Sequence, residues 1–95
     1  MALARNQQRV LSYLTTIESE AAGIDVADGI DELGRSSVYA ALAALQRDGM
    51  IEARWDHSAS HPRRMVRISG AGREALIDEW QRRPTIGLAE TGGAS

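Results

Sequence analysis

The 95-residue chain has no cysteine, no phenylalanine and no lysine, only two prolines, and four aromatic side chains: Tyr13, Tyr39, Trp55 and Trp80. Without thiols there can be no disulfide, no thiolate-bound zinc or iron–sulfur cluster and no cysteine nucleophile, and the chain reads as intracellular, hence cytoplasmic. No apolar run approaches the roughly 18 residues a membrane-spanning helix needs. The stretch from Met1 to Val10 is polar and lacks the apolar centre of a secretory leader. The length leaves room for a single core, and a core this small gains from a partner subunit.

A net charge of −2 argues, taken whole, against a nucleic-acid binder. Its distribution argues the other way. From Met1 to Gly34, Arg5 and Arg9 face six acids, a net of −4. From Arg35 to Arg73, seven arginines face Asp48, Glu52 and Asp56, a net of +4. The remainder, with Arg82 and Arg83 against four acids, returns to −2. The basic third is built entirely of arginine, whose planar fork suits phosphates and guanine edges.

Hydrophobic periodicity divides the chain into elements. Leu3, Val10, Leu11, Leu14 and Ile17 share one helical face, and Gly23 is placed to end that helix near Ala22. Asp25 is the expected cap of a short second helix, Val26 to Leu33, which Gly34 stops. Ser36 is the expected cap of a third, Ser37 to Asp48, ended by Gly49 and buried through Val38, Ala41, Leu42 and Leu45. The period then changes to two. Ile51, Ala53 and Trp55 alternate with charged residues, Asp56 to Pro62 is a polar loop, and Arg64, Val66 and Ile68 mark a returning strand. On this reading Trp55 belongs to the core. Ser69 caps a last helix with Leu76, Ile77 and Trp80 along its apolar stripe, and Pro84 ends it.

The fold class expected is mainly α with a small β-hairpin, in the order α-α-α-β-β-α of a winged helix-turn-helix. Residues 1–83 form that domain, with 70–83 as its C-terminal dimerisation helix, and 84–95 form a flexible tail. The basic third of the chain is then the recognition helix together with the wing.

The run from Ser36-Ser37-Val38-Tyr39-Ala40-Ala41-Leu42 through Leu45-Gln46-Arg47-Asp48-Gly49-Met50-Ile51 resembles the recognition helix and first wing strand of the PadR family of transcriptional regulators. Pro62-Arg63-Arg64-Met65-Val66-Arg67-Ile68-Ser69 is similar to that family's second wing strand. The resemblance implies a homodimeric repressor on palindromic double-stranded DNA. By position, it implies phosphate contacts from Ser36, Ser37 and Tyr39 and a wing-tip contact from Arg63. The chain departs from the family pattern at Ser60-His61 before the wing proline, at Val66, at Gly70 and at Pro84, which shortens the last helix.

The residues themselves extend this set. Arg35 precedes the recognition helix and is placed on phosphate, while Ala40 and Arg47 lie on its outer stripe. Period-two alternation points Arg63 and Arg64 to opposite faces, so one of the pair is free for DNA, and Arg63 is favoured. His61 adds charge beside Arg63 when protonated. His57 and His61 are four apart, but on a polar loop that spacing aligns nothing, so neither a metal nor a cofactor is expected. Asp56, His57, Ser58 and Ser60 lie too close together on one loop to form a hydrolytic triad, and no enzyme is expected. Leu3, Leu76, Ile77 and Trp80 are the expected dimer interface. A small-molecule effector at such an interface would fit the resemblance, though no residue identifies one. The alternative is a winged-helix module that binds protein rather than DNA, favoured by the overall acidity.

Overall fold

The computed structural model describes residues 3–58 and 60–82. The expected tail, 84–95, and the helix stop at Pro84 lie outside the described residues. Within them the chain forms four helices and three strands, in the order α-β-α-α-β-β-α.

Helix α1 spans Arg5–Thr15 and buries Val10, Leu11 and Leu14. It stops a full two turns before the position that Gly23 suggests, because Thr15 and Thr16 turn their hydroxyls back onto the Ser12 and Tyr13 carbonyls, each at 2.6 Å. The Thr16 and Ile17 amides then bond three residues back, at 3.0 and 3.1 Å, which tightens and ends the helix. The segment released by this stop forms β1, Ala21–Ala22, a strand too short to carry any periodicity. Gly23 does not end α1; it opens α2, Gly23–Gly29, with Ala22 as the capping residue. Asp25 therefore sits inside the first turn, where its charge complements the helix dipole, rather than at the cap. Tyr13 closes over Gly29, where any Cβ would collide with its hydroxyl.

Helix α3, Arg35–Arg47, starts earlier than its serines suggest: Gly34 is the extended capping residue, and the Val38 amide bonds the Gly34 carbonyl at 3.0 Å. Ser36 and Ser37 consequently occupy the first turn and neither one caps it. The far end follows expectation. Gly49 adopts a φ of 77°, which glycine tolerates without strain. This lets the Met50 amide reach the Leu45 carbonyl at 2.8 Å and the Gly49 amide reach Gln46 at 3.1 Å, closing a Schellman motif.

That turn launches β2, Ile51–Asp56, which pairs antiparallel with β3, Arg63–Ile68, from Ile51 opposite Ile68 to Asp56 opposite Arg63. The third strand, β1, lies on the other side of β3, with Ala21 opposite Val66 and Ala22 opposite Met65. The sheet is thus three-stranded rather than a bare hairpin. Its inner face contributes Ile51, Val66 and Ile68 to a core otherwise made by α1, α2, α3 and α4. Trp55 shares that face in register yet is 57% exposed, because the hairpin runs on beyond the end of the core.

Helix α4, Gly70–Arg82, is capped by Ser69, whose hydroxyl accepts the Gly72 amide at 3.0 Å and donates to the Gly49 carbonyl at 2.7 Å. Leu76 from α4 and Leu3 from the segment before α1 are 1% and 6% exposed within this one chain. Both are covered by the chain's own core, which leaves Ile77 and Trp80, at 48% and 50%, as the exposed members of the four residues expected at a dimer interface. Between them Glu79 is only 9% exposed, and its carboxylate accepts the Leu3 amide at 2.7 Å, tying the chain's start to α4.

Candidate nucleic-acid interface

The buried stripe of α3 fixes which side chains face outward. With Val38, Ala41, Leu42 and Leu45 inside, Ser36, Tyr39, Ala40, Ala43, Gln46 and Arg47 lie on the exposed side, and Arg35 sits at the helix start. Apart from Tyr39 this outer face is short-chained for two turns, through Ser36, Ala40 and Ala43, so another backbone can approach it closely beside the tyrosine. The first turn also presents amides that have no partner inside the helix, together with the positive end of its dipole. Tyr39 is 43% exposed and lies over the small Gly23 of α2, so it combines half-burial with a reachable hydroxyl.

Beside α3 stands the β2–β3 hairpin. Between the two is an open recess of about 540 Å³, bordered by Tyr39, Gln46 and Arg64 and floored by Leu42, Ile51 and Val66. Alternation along β3 puts Arg64 on the recess side with Val66 and Ile68, and Arg63 on the other side with Met65. The Arg64 guanidinium donates to the Gln46 side-chain oxygen and lies 5.9 Å from the centre of the Trp55 ring. The sequence favours Arg63 over Arg64 and misses both partners of Arg64: Gln46 carries no charge, and Trp55 reads as core.

The opposed charges of the first and second segments meet in space. Arg35 lies 2.7 Å from Asp28, Arg54 donates through Nε to Glu20 at 3.0 and 3.1 Å, and Arg67 lies 2.7 Å from Glu52. Arg63 lies 3.7 Å from Asp56, and Arg47 lies 3.5 Å from Asp48. The hydrogen bond from Arg54 holds the Glu20 carboxyl below the usual glutamate range, and the same bond raises the Arg54 guanidinium further. Asp56 is also lowered, first by the Ser58 hydroxyl at 2.7 Å and then by the Ser58 amide at 3.0 Å. Ser58 thus donates to Asp56 directly with no imidazole between them, and His57 and His61 are both exposed. Among the described residues no cluster of three or more His, Asp or Glu is placed to hold a metal ion, and no helix is long and apolar enough to cross a membrane.

The arrangement is that of a winged helix: a short helix turning into an exposed one, flanked by a sheet whose outer hairpin projects past the core. Solved structures share it. The crystal structure of Bacillus subtilis PadR in complex with operator DNA superposes with a TM-score of 0.72 at 21% identity, covering 87% of this chain and 50% of that one. The chain thus spans half the length of that relative. A PadR family transcription regulator from hypervirulent Clostridium difficile R20291 gives a TM-score of 0.75 at 16% identity, covering 97% of this chain and 100% of that one. A transcriptional regulator from Clostridium thermocellum gives 0.64 at 25% identity, covering 79% and 81%. No curated protein matches the chain by sequence. Residues 10–78, from the middle of α1 to within α4, match the family described as transcriptional regulator PadR-like. With that match spanning well over half of its length, the chain belongs to the PadR-like family of transcriptional regulators.

Proposed function

We propose that the chain is a homodimeric, sequence-specific repressor that occludes a promoter by binding a palindromic operator. The observation that carries this reading is the outer face of α3. It is exposed, short-chained at Ser36, Ala40 and Ala43, and flanked by the hairpin in a fold shared with a regulator solved on operator DNA. In this reading the start of α3 enters a major groove. Ala40 touches a base edge there, while Arg35, Ser36, Ser37 and Tyr39 hold phosphates. Arg47, His61 and the wing arginines add charge at the flanks. Ile77 and Trp80 of α4, both half-exposed, pack against a second copy and set the spacing of the two helices.

The ion pairs favour a second reading. Arg35, Arg47, Arg54, Arg63 and Arg67 each have a carboxylate within reach, and Asp28 and Glu20, which come from outside the +4 segment, halve its net charge to +2. A winged-helix module that binds protein rather than DNA would have this charge balance. Gel retardation with the upstream region of the chain's own gene, at low and at physiological salt, separates the two. A repressor retards it at both and prefers it over unrelated duplex; the absence of retardation at either salt favours the module.

A further inference from the structure

The wing ends in a tryptophan that the fold leaves uncovered. Trp55 is 57% exposed, stands opposite Arg64 across the hairpin, and carries the Arg64 guanidinium 5.9 Å from its ring centre. Arg64 in turn donates to Gln46 of α3, so the pair is tethered to the recognition helix. Charge singles out the same place. The hairpin holds four arginines, and three of them face carboxylates: Arg54 faces Glu20, Arg63 faces Asp56 and Arg67 faces Glu52. The partners of Arg64 among the described residues are both neutral, an amide and an aromatic ring.

A neutral partner orients a guanidinium without cancelling its charge. A phosphate approaching Arg63 must displace or share Asp56, whereas one approaching Arg64 meets a full positive charge on the side of the hairpin that faces α3. The sugar–phosphate backbone of duplex DNA offers what this pair complements: an anionic oxygen for the guanidinium and, next to it, the largely apolar face of a deoxyribose for the indole. We propose that Trp55 and Arg64 together form the wing's contact to the DNA backbone, Arg64 on a phosphate and Trp55 against the adjoining sugar. This inference rests on the DNA-binding reading above.

The test uses the full chain and the duplex that the wild type enriches from a random-sequence pool. Binding is followed by anisotropy across a salt series and by tryptophan emission. Trp55→Ala weakens binding by about tenfold at fixed salt, and Trp55→Phe by less, in line with burying part of an indole face against the apolar side of a sugar. Arg64→Gln lowers the slope of log affinity against log salt by about 0.9, the loss of one phosphate contact, and Arg63→Gln, whose charge is already shared with Asp56, lowers it by less. The change in emission on adding the duplex is present in the wild type and lost in Trp55→Phe. Thermal midpoints within a few degrees of the wild type confirm that the variants are folded. The proposal is overturned if Trp55→Ala binds within about twofold of the wild type, if Arg63→Gln flattens the slope at least as much as Arg64→Gln, or if the emission change persists in Trp55→Phe. Enrichment of no duplex by the wild type overturns the DNA-binding reading itself, and this inference with it.

Discussion

Replacing Gly72 with alanine tests how α4 is seated on the recognition turn. Gly72 is buried in the first turn of α4, against the chain that leaves α3. A Cβ there would overlap the Met50 carbonyl oxygen and come within 3.0 Å of both the Met50 carbonyl carbon and Ile68 Cγ1. The obstructing atoms are mostly backbone, so no side-chain rotation relieves the overlap, and the start of α4 must lift away from the sheet. Lifting it strains or breaks two bonds that converge on the same spot: the Ser69 amide to the Met50 carbonyl at 3.0 Å and the Ser69 hydroxyl to the Gly49 carbonyl at 2.7 Å. Each is worth about 1 kcal/mol net, and overpacking a close contact costs about 1–3 kcal/mol more, so the loss is about 3–5 kcal/mol. For a domain of this size that lowers Tm by about 12 °C at least. Gly70 provides the control: two residues earlier, a Cβ would meet nothing within 4 Å. Gly70→Ala should be neutral or stabilising by up to about 1 kcal/mol through the unfolded chain. Paired thermal and urea unfolding reads both variants. If Gly72→Ala melts within about 4 °C of the wild type, less than 1 kcal/mol has been lost and the account of α4 packing fails.

Three further outcomes follow from the same contacts. Glu79→Ala removes the buried acceptor of the Leu3 amide and should cost about 1–3 kcal/mol, while Glu79→Gln keeps an acceptor oxygen and loses less; equal losses in urea unfolding would show that the bond to Leu3 does not matter. Glu20 and Asp56 are held below their ordinary values of 4.5 and 3.8, so in acid the unfolded chain takes up their protons first, and the stability they add is present above those values and lost as pH falls through the depressed ones. Urea midpoints of Glu20→Gln should therefore fall less steeply below about pH 4.5 than those of the wild type, and identical slopes would contradict this. If Ile77 and Trp80 meet a second copy, sedimentation of the wild type at micromolar concentration gives a dimer and Trp80→Ala shifts it toward monomer; a monomeric wild type rules the interface out.

Much of the fold is readable because some residues act locally. Gly49 marks the end of α3 and the switch from a period near four to a period of two, so the recognition helix and wing fall where the pattern puts them. Elements whose limits depend on non-local partners are harder to read. Ile17 keeps the helical spacing going after Thr15 and Thr16 have already closed α1, and β1 exists only because Val66 and Met65 offer it an edge. Alternation assigns Trp55 to the correct face of the sheet but cannot tell that the core ends before the hairpin does. Segment charges likewise place the arginines without showing that Asp28 and Glu20, in the acidic segment, meet Arg35 and Arg54 in the basic one. What remains uncompensated at the wing, Arg64 beside Trp55, becomes visible only in three dimensions.

The proposed repressor stands or falls on whether the outer face of α3 reads DNA. The most direct measurement is the affinity of the full chain for its own upstream duplex against an unrelated duplex across a salt series, for the wild type and for Ala40→Asp. Ala40 is exposed, so the substitution spares the core while placing a negative charge where the groove should lie. Tight, salt-dependent binding that prefers the upstream duplex is expected, with at least about a tenfold loss in Ala40→Asp and a thermal midpoint within a few degrees of the wild type. Equal affinity of the wild type and Ala40→Asp for the upstream duplex would contradict the DNA-binding reading.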